Sequence, residues 1–162
     1  MNTWLREAKP EDESFILEIR NAEDVRAWSK NQEVISEATH ARWFESQLQD
    51  PKSLIWIIED KIQPLGYIRS KETKDRTWQL SFALGYGARG QGYCNTAIQQ
   101  ACKLLIENQG AQCLLAEVIS ANSVVIHLLK KSGFVDKRKT QEVGFEIEQL
   151  ELWAMCSEPR RV

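Results

Sequence analysis

The sequence predicts a single α/β domain. Helical and strand-like patterns alternate along the chain instead of falling into separate blocks, which favours this class. No internal repeat, low-complexity tract or linker divides the 162 residues, and that length suffices for one domain with a sizeable core. We therefore expect residues 1–162 to fold as one unit.

The first third of the chain predicts one strand and two helices. Residues 3–8 have strand character, and residues 10–21 form a helical pattern with Pro10 at its first position and acidic residues in its first turn. Ser36 is a candidate cap for a second helix over residues 36–50, which Pro51 ends.

The remaining elements follow in an alternating order. Residues 53–60 and 64–73 are β-rich and separated by a short turn, which predicts an antiparallel hairpin or meander, and residues 76–85 alternate apolar and polar side chains. A glycine-rich loop then opens a helix that ends at Gly110. The last three predicted elements are a strand over residues 113–120, a helix from residue 122 to Gly133, and a final strand over residues 145–155. This order gives six strands.

Composition and charge argue against several functional classes. The net charge is −2, so no global basic field favours a nucleic acid as partner, and we expect the basic run at residues 137–139 to be solvated surface. No apolar segment approaches the ~20 residues of a membrane span. Arg6 and Glu7 precede any apolar run, so we expect neither a signal peptide nor a membrane location.

Cysteines and histidines give no sign of disulfides or metal. The four cysteines show no close pairing motif, and the two histidines, His40 and His127, lack accompanying ligand spacing. We expect reduced thiols, a cytoplasmic location and no metal. The cysteines are Cys94, Cys102, Cys113 and Cys156.

The stretch YGARGQGYCNTAIQQACKLL, residues 86–105, places glycines directly before a helix. Backbone N–H groups at a helix N-terminus form a cradle for anionic oxygen, and glycines let the main chain approach the ligand. The loop lacks the Gly-Lys-Ser/Thr ending of a Walker loop and the position of a Rossmann fingerprint. Either these glycines only turn a corner, or they bind a phosphate.

Two motifs in the correct order decide between these interpretations, because together they resemble the GNAT superfamily of acyl-CoA-dependent N-acyltransferases. The pyrophosphate loop of that family, Arg/Gln-x-x-Gly-x-Gly/Ala, matches residues 89–94, with Cys94 at the last small position. Asn122 followed by Gly133 and Phe134 matches its second signature. The resemblance covers nearly the whole chain. It implies a mixed, mostly antiparallel central sheet with a splayed strand pair and flanking helices.

The resemblance also implies acetyl-CoA as the cofactor and direct acetyl transfer to an amine. Backbone amides around residues 82–84, centred on Ala83, are candidates to bind the developing oxyanion. Leu129 stands where many relatives carry a tyrosine that protonates the departing thiolate. The implied coenzyme-binding residues are Phe82, Leu84, Arg89, Gly90, Gln91, Gly92, Tyr93, Cys94, Asn95, Asn122 and Leu129.

The identity of the general base remains open, and there are three candidates for its role. Gln79 occupies a position at which many relatives place a glutamate, and an amide cannot act as a base. Ser81 lies on the same predicted strand face and is a candidate to orient a water, while Glu117 and His40 are titratable candidates. A lone histidine is more often a surface or capping residue.

The spacing of residues 20–44 is similar to the GNAT branch that acetylates the 4-amino group of UDP- or CMP-linked aminosugars. Those enzymes serve the biosynthesis of pseudaminic or legionaminic acid or of related surface polysaccharides. The alternative is that the aromatics form a helix core and the arginines are surface charges. The implied acceptor residues are Arg20, Asn21, Arg26, Trp28, His40 and Trp43.

Two rival functions and one assembly are also consistent with the sequence. One rival is a protein N-terminal acetyltransferase of the ribosomal-protein type. The other is a noncatalytic acyl-CoA-binding module, favoured by Gln79 and Leu129. Since relatives often form dimers through their final strand, a homodimer is a further expectation.

Overall fold

Seven strands form one sheet within residues 4–154, the part of the chain that the computed structural model describes. Their order across the sheet is β1-β2-β3-β4-β5-β7-β6, and only β4 and β5 pair in parallel. The strands are β1 (Trp4–Glu7), β2 (Ser53–Glu59), β3 (Pro64–Lys74), β4 (Thr77–Leu84), β5 (Cys113–Ile119), β6 (Val135–Glu142) and β7 (Phe145–Trp153). The predicted α/β class with a mixed, mostly antiparallel sheet is confirmed.

Helices flank this sheet, and their ends follow local capping chemistry. The helices are α1 (Glu13–Asn21), α2 (Glu23–Arg26), α3 (Glu37–Gln49), α4 (Tyr93–Gln109) and α5 (Ser123–Lys131), with 3-10 turns at Pro10–Asp12 and Tyr86–Ala88. The Ser36 hydroxyl accepts a hydrogen bond from the Thr39 amide at 3.2 Å, as a helix cap does. Gly110 ends α4 with a φ of 66°, a left-handed conformation that suits glycine.

The prediction of six strands was wrong, because residues 135–142 form β6. The sequence of this strand, VDKRKTQE, lacks apolar alternation, and most of its side chains are exposed at the edge of the sheet. It pairs with β7, whose other edge pairs with β5. Within the described residues, both edges of the final strand are therefore paired inside this chain, and the expected homodimer stays a prediction. The ends of the first and last predicted strands and Cys156 lie outside the described residues.

Side chains of β4 alternate between two hydrophobic layers. Leu80 and Leu84 belong to the layer that includes Ile98 and Leu105 of α4. Ala83 packs on the opposite layer, whose members include Ile16 of α1, Phe44 of α3 and Tyr67 of β3. The predicted coenzyme loop, residues 89–94, and the N-terminal helices thus approach β4 from different faces of the sheet.

Neither membrane-spanning helices nor metal clusters are found in the described residues. None of their helices combines the length and apolar character needed to cross a bilayer. Within residues 4–154, no group of three or more histidine, cysteine, aspartate or glutamate side chains is arranged to hold a metal ion.

Candidate active site

The sheet opens between β4 and β5. The two strands pair from Thr77 and Cys113 as far as Leu80 and Ala116, and then β4 continues to Leu84 without β5 as a partner. A cleft of about 1220 Å³ lies at this opening, and residues of both strands line it. This is the splayed strand pair that the sequence resemblance implied.

Two backbone amides of β4 point into the opening. The Gly85 amide donates to the Leu65 carbonyl at 2.8 Å, and N–H directions alternate along a strand. The amide of Ala83 therefore faces β3, whereas those of Phe82 and Leu84 face the gap. Arg89 supports this geometry, because its Nη2 donates to the Leu84 carbonyl at 3.1 Å from that side. The sequence prediction centred the candidate oxyanion-binding amides on Ala83. This is corrected, because the amides that face the gap are those of Phe82 and Leu84.

The glycine loop has the geometry of an anion cradle. Gly90 and Gly92 have φ angles of 72° and 83°, and a Cβ built on either would meet no protein atom within 4 Å. Gly92 caps α4, so the first amides of that helix, at Tyr93, Cys94 and Asn95, have no intrahelical acceptor. Glycines, open space and free amides at one point fit the diphosphate of a coenzyme.

Side chains of the loop have separate roles. Arg89 forms an ion pair with Asp24 of α2, and its guanidinium lies 5.8 Å from the centre of the Tyr86 ring. The hydrogen bond from Arg89 lowers the pKa of Asp24. The Gln91 amide group donates to the Gly87 carbonyl at 2.9 Å, so this side chain shapes the loop and does not line the cleft. The side-chain carbonyl oxygen of Asn95 accepts a hydrogen bond from the Ser132 hydroxyl at 3.1 Å, which joins α4 to the end of α5.

The second signature separates into lining and core residues. Asn122 lines the cleft and caps α5, accepting from the Val125 amide at 3.4 Å. Leu129 is 1% exposed and Phe134 is 2% exposed, and both pack in the core beside α4. Leu129 thus lies below the cleft wall, which is formed instead by Val125 and Leu128. Its predicted contact with the coenzyme is corrected on this ground.

Four of the six predicted acceptor residues line the cleft, and two do not. Arg20, Trp28, His40 and Trp43 line the cleft. Asn21 does not, because its amide group makes two hydrogen bonds, of 2.8 and 2.9 Å, with the backbone of Ile35.

Arg26 also turns away from the cleft. Its Nε donates to the Asn21 carbonyl at 3.0 Å and its Nη1 to the Gln32 carbonyl at 3.0 Å. Together with Asn21, it holds the segment between α2 and α3 in place. Both residues therefore shape the acceptor side without lining it.

The His40 side chain is buried and only 3% exposed. Its Nδ1 lies 2.5 Å from the Glu13 carboxylate, and its ring stacks on Phe44 with centroids 6.1 Å apart. The Trp43 ring lies 5.2 Å from it. These contacts hold the imidazole firmly in the wall of the cleft.

Glu117 is engaged on both carboxylate oxygens. Lys30 donates to one of them and also to Glu142 at 2.7 Å, while the Gln149 amide donates to the other at 2.9 Å. Partial burial alone would lower the pKa of Lys30, but the hydrogen bonds to the two carboxylates outweigh it and raise that pKa. Ser81 is exposed in the same cleft.

Sequence reasoning missed Arg69 and Tyr67 of β3, which line the cleft opposite α3. The Arg69 guanidinium lies 5.0 Å from the centre of the Trp43 ring, within cation–π range. Arg69 pairs with Ser81 and Tyr67 with Ala83 across the sheet, so these side chains share one face. Because side chains two positions apart share a face of a strand, the predicted strand over residues 64–73 already placed Tyr67 and Arg69 on one face, and this was the signal that would have pointed to them.

Comparison with known proteins agrees with this arrangement. The profile of the acetyltransferase (GNAT) domain matches residues 2–135. Among solved structures, the chain is similar to a spermidine N-acetyltransferase from Vibrio cholerae in complex with CoA and spermine. That similarity has a TM-score of 0.86 and 16% identity over 93% of this chain and 95% of that one. A search of curated proteins finds no significant match.

Two further solved structures have the same fold. An N-acetyltransferase from Staphylococcus aureus has a TM-score of 0.82 and 23% identity, with coverage of 94% of this chain and 99% of that one. A ribosomal-protein-alanine N-acetyltransferase from Brucella melitensis has a TM-score of 0.81 and 19% identity, with coverage of 93% and 99%.

The fold and cleft are those of an acyl-CoA-dependent N-acyltransferase. With the domain profile matching most of its length, the chain belongs to the GNAT acetyltransferase family. It is accordingly an N-acetyltransferase that uses acetyl-CoA, and the noncatalytic alternative is not retained.

Proposed function

We propose that this enzyme acetylates the 4-amino group of a nucleotide-linked aminosugar in surface-polysaccharide or nonulosonic-acid biosynthesis. The observation that carries this proposal is the aromatic character of the acceptor side of the cleft. Trp28 lines the cleft and is 48% exposed, so that its indole is open to a ligand there, and Trp43 lines the cleft as well. Exposed indole faces suit stacking with a base or a sugar.

The coenzyme would be held by backbone groups at the start of α4 and by the walls of the β4–β5 opening. Acetyl-CoA supplies the activated acetyl group when bound. The amides of Phe82 and Leu84 would donate to the oxygen on which negative charge develops, which is the role of an oxyanion-binding pair. The acceptor amine would approach from the face that carries Ser81, because the coenzyme loop approaches from the other side.

The proton on the acceptor amine would leave through the acceptor side of the cleft. Ser81 is exposed there and is the candidate to orient a water that takes the proton. His40 and Glu117 are less suited to this role, since their partners Glu13, Lys30 and Gln149 already engage them. Transfer would be direct, with both substrates bound together. The amine nitrogen would bond to the acetyl carbonyl carbon, the carbon–sulfur bond would break, and coenzyme A would leave as a thiolate that takes a proton from solvent.

A protein N-terminus is the second candidate acceptor. One of the structurally similar enzymes is a ribosomal-protein-alanine N-acetyltransferase, although at 19% identity the likeness concerns the fold. A peptide would need an open groove with backbone groups to pair with, whereas the acceptor side here presents aromatic and cationic side chains. We also propose a cytoplasmic location, supported by the free thiols of Cys94, Cys102 and Cys113.

The test combines an acceptor panel with two tryptophan variants. Purified protein and acetyl-CoA are incubated with UDP-4-amino-4,6-dideoxy sugars, N-terminal peptides or polyamines, and thiol release and product mass are followed. We expect acetylation of a nucleotide sugar. We also expect Trp28→Ala to raise the acceptor KM about three- to tenfold, the loss of one aromatic contact. Trp153→Ala is the matched control, since Trp153 is 60% exposed on β7 and lies outside the cleft.

Three other outcomes have defined meanings. Turnover of peptides or polyamines with silent nucleotide sugars would contradict the proposed acceptor. Equal effects of Trp28→Ala and Trp153→Ala on the acceptor KM would show that Trp28 makes no specific contact with the acceptor, which would contradict the argument from aromatic side chains. A dominant effect of Trp28→Ala on the KM for acetyl-CoA would assign this indole to the coenzyme instead.

A further inference from the structure

Two arginines on the acceptor side of the cleft have donors without an acidic partner. Arg69 has no carboxylate within 4.0 Å among the described residues, and burial lowers the pKa of its guanidinium. Arg20 donates through Nη2 to the Asn31 carbonyl at 2.7 Å, whereas its Nη1 is buried with no hydrogen-bond partner in the described structure. Both side chains line the same cleft.

Tyr67 connects the two arginines in space. Burial raises the pKa of its hydroxyl, and the positive charges of Arg20 and Arg69 both act against that rise. Tyr67 is 9% exposed and lines the cleft beside Arg69 on β3. Arg20, Arg69 and Tyr67 therefore form one cluster, which we call the arginine cluster.

Three other cations of the cleft differ from this cluster because they have acidic partners, and a fourth, Lys131, is exposed to solvent. Lys30 contacts Glu117 and Glu142, Arg89 contacts Asp24, and the Lys71 ammonium lies 3.8 Å from Asp50. Burying an unpaired cation is unfavourable, and buried donors in folded proteins nearly always have acceptors. Stacking on Trp43 offsets only part of the cost for Arg69. An anion that enters the cleft would supply the missing acceptor.

We propose that the arginine cluster binds an anionic group of the acceptor, a phosphate or a carboxylate, and thereby selects anionic amines. The planar guanidinium fork matches the oxygens of both groups. This inference rests on the proposed function, since the cluster lies in the same cleft as Trp28 and Trp43. It also predicts that polyamines bind poorly, because two unpaired arginines repel a polycation.

The experiment measures anion binding directly by titration calorimetry. The protein is first saturated with CoA, so that the coenzyme loop cannot bind the probes. UDP, inorganic phosphate and succinate are then titrated into wild type and into Arg69→Met, Arg69→Lys and Arg42→Met. Arg42 is the matched control, because it is exposed on α3 and lies outside the cleft. Thermal unfolding verifies that each variant is folded.

We expect Arg69→Met to weaken binding of UDP about tenfold or more, the effect of losing a hydrogen bond to a charged group. Arg69→Lys should have an intermediate effect, since it keeps the charge without the fork. Arg42→Met should leave the affinity unchanged. Wild-type protein that binds none of the probes, or a folded Arg69→Met that binds them equally well, would overturn the inference.

The same measurements distinguish a failure of this inference from a failure of the proposed function. If Arg69→Met weakens succinate and wild type does not bind UDP, the anion site stands and its ligand is a carboxylate, which counts against a nucleotide sugar. If nucleotide sugars are acetylated and Arg69→Met leaves UDP affinity unchanged, the function stands and the anion site fails.

Discussion

The ammonium group of Lys30 donates to the carboxylate of Glu117, joining the segment after α2 to β5 beside the strand opening. A second bond of 2.7 Å to Glu142 extends this contact to β6. Glu117, a candidate base from the sequence, is thereby committed to holding one wall of the acceptor side in place. Its second oxygen accepts from Gln149.

Glu117→Gln should raise the acceptor KM about tenfold while changing kcat by no more than about threefold, because it removes one charge-assisted contact from the cleft wall. The pH dependence of kcat should keep its shape. Steady-state kinetics between pH 5 and 9 checks this, with Glu146→Gln as control, since Glu146 is an ion-paired glutamate outside the cleft. A hundredfold fall in kcat with loss of the acidic limb would instead assign the base to Glu117.

Gly92→Ala and Gly110→Ala form a matched pair. Both glycines have a left-handed φ, of 83° and 66°, and neither would bring a Cβ within 4 Å of another protein atom. Each alanine should therefore cost about 1–2 kcal/mol of unfolding free energy. Only Gly92→Ala should raise the KM for acetyl-CoA, by about tenfold, because its methyl group would project into the cradle. A similar KM in both variants would remove Gly92 from the coenzyme site.

Gly66→Ala should disturb the two free amides of β4. A Cβ at Gly66 would lie 2.3 Å from the Ala83 carbonyl oxygen and 2.9 Å from the Leu84 Cα, both of them backbone atoms. We expect a loss of about 1–3 kcal/mol of unfolding free energy, as for other overpacked sites. We also expect a fall in kcat, since the Leu84 amide must move.

Urea unfolding and single-turnover kinetics check the Gly66 prediction. Gly87→Ala serves as the stability control, because no atom lies within 4 Å of its built Cβ, and it should stay within about 0.5 kcal/mol of wild type. A Gly66→Ala protein with wild-type stability and kcat would show that β3 and β4 tolerate the displacement.

His40→Ala tests whether this imidazole is mainly a structural group. The buried ring packs on Phe44 and its Nδ1 contacts Glu13, so truncation leaves a cavity and an unpaired carboxylate. We expect a loss of about 2–4 kcal/mol in urea unfolding. The exposed His127→Ala should change stability by less than about 0.5 kcal/mol. A wild-type unfolding curve for His40→Ala, together with lost turnover, would favour a catalytic role.

Elements governed by local chemistry could be predicted from the sequence. Ser36 caps α3, Gly110 ends α4, and the alternation of β4 places Leu80 and Ser81 on opposite faces, because each depends on neighbours within a few residues. The glycine loop before α4 is contiguous in sequence, and its left-handed glycines could be anticipated for the same reason. The strand β6 could not, since an exposed edge strand needs no apolar pattern.

The acceptor side depends on contacts between distant segments, which explains why its prediction was incomplete. Arg69 reaches Trp43 only through the packing of α3 on the sheet. Asn21 and Arg26 have the polarity of binding residues, yet their donors hold nearby backbone. Residue type alone could not distinguish an arginine that holds a loop from one that lines a cleft.

Asp12 should make the stability of this fold depend on pH in the acidic range. Its carboxylate accepts two hydrogen bonds from Arg6, of 2.7 and 2.8 Å, and one from the Lys9 amide at 2.7 Å. The bond from Arg6 is the main cause that lowers the pKa of Asp12, and it outweighs burial. An unfolded aspartate has a pKa of about 3.9, so the stabilisation is complete above that pH and is lost as pH falls toward the lower folded value.

Asp12→Asn should therefore destabilise the protein at pH 7, by about 1.5–3 kcal/mol for the lost charged hydrogen bonds, and by less at pH 3. Urea unfolding at both pH values measures the difference. Asp75→Asn, at an exposed position between β3 and β4, should stay within about 0.5 kcal/mol of wild type at pH 7. The same loss for Asp12→Asn at pH 7 and pH 3 would contradict the linkage, because at pH 3 most unfolded chains carry a protonated Asp12 and the ionised carboxylate therefore stabilises the folded protein less.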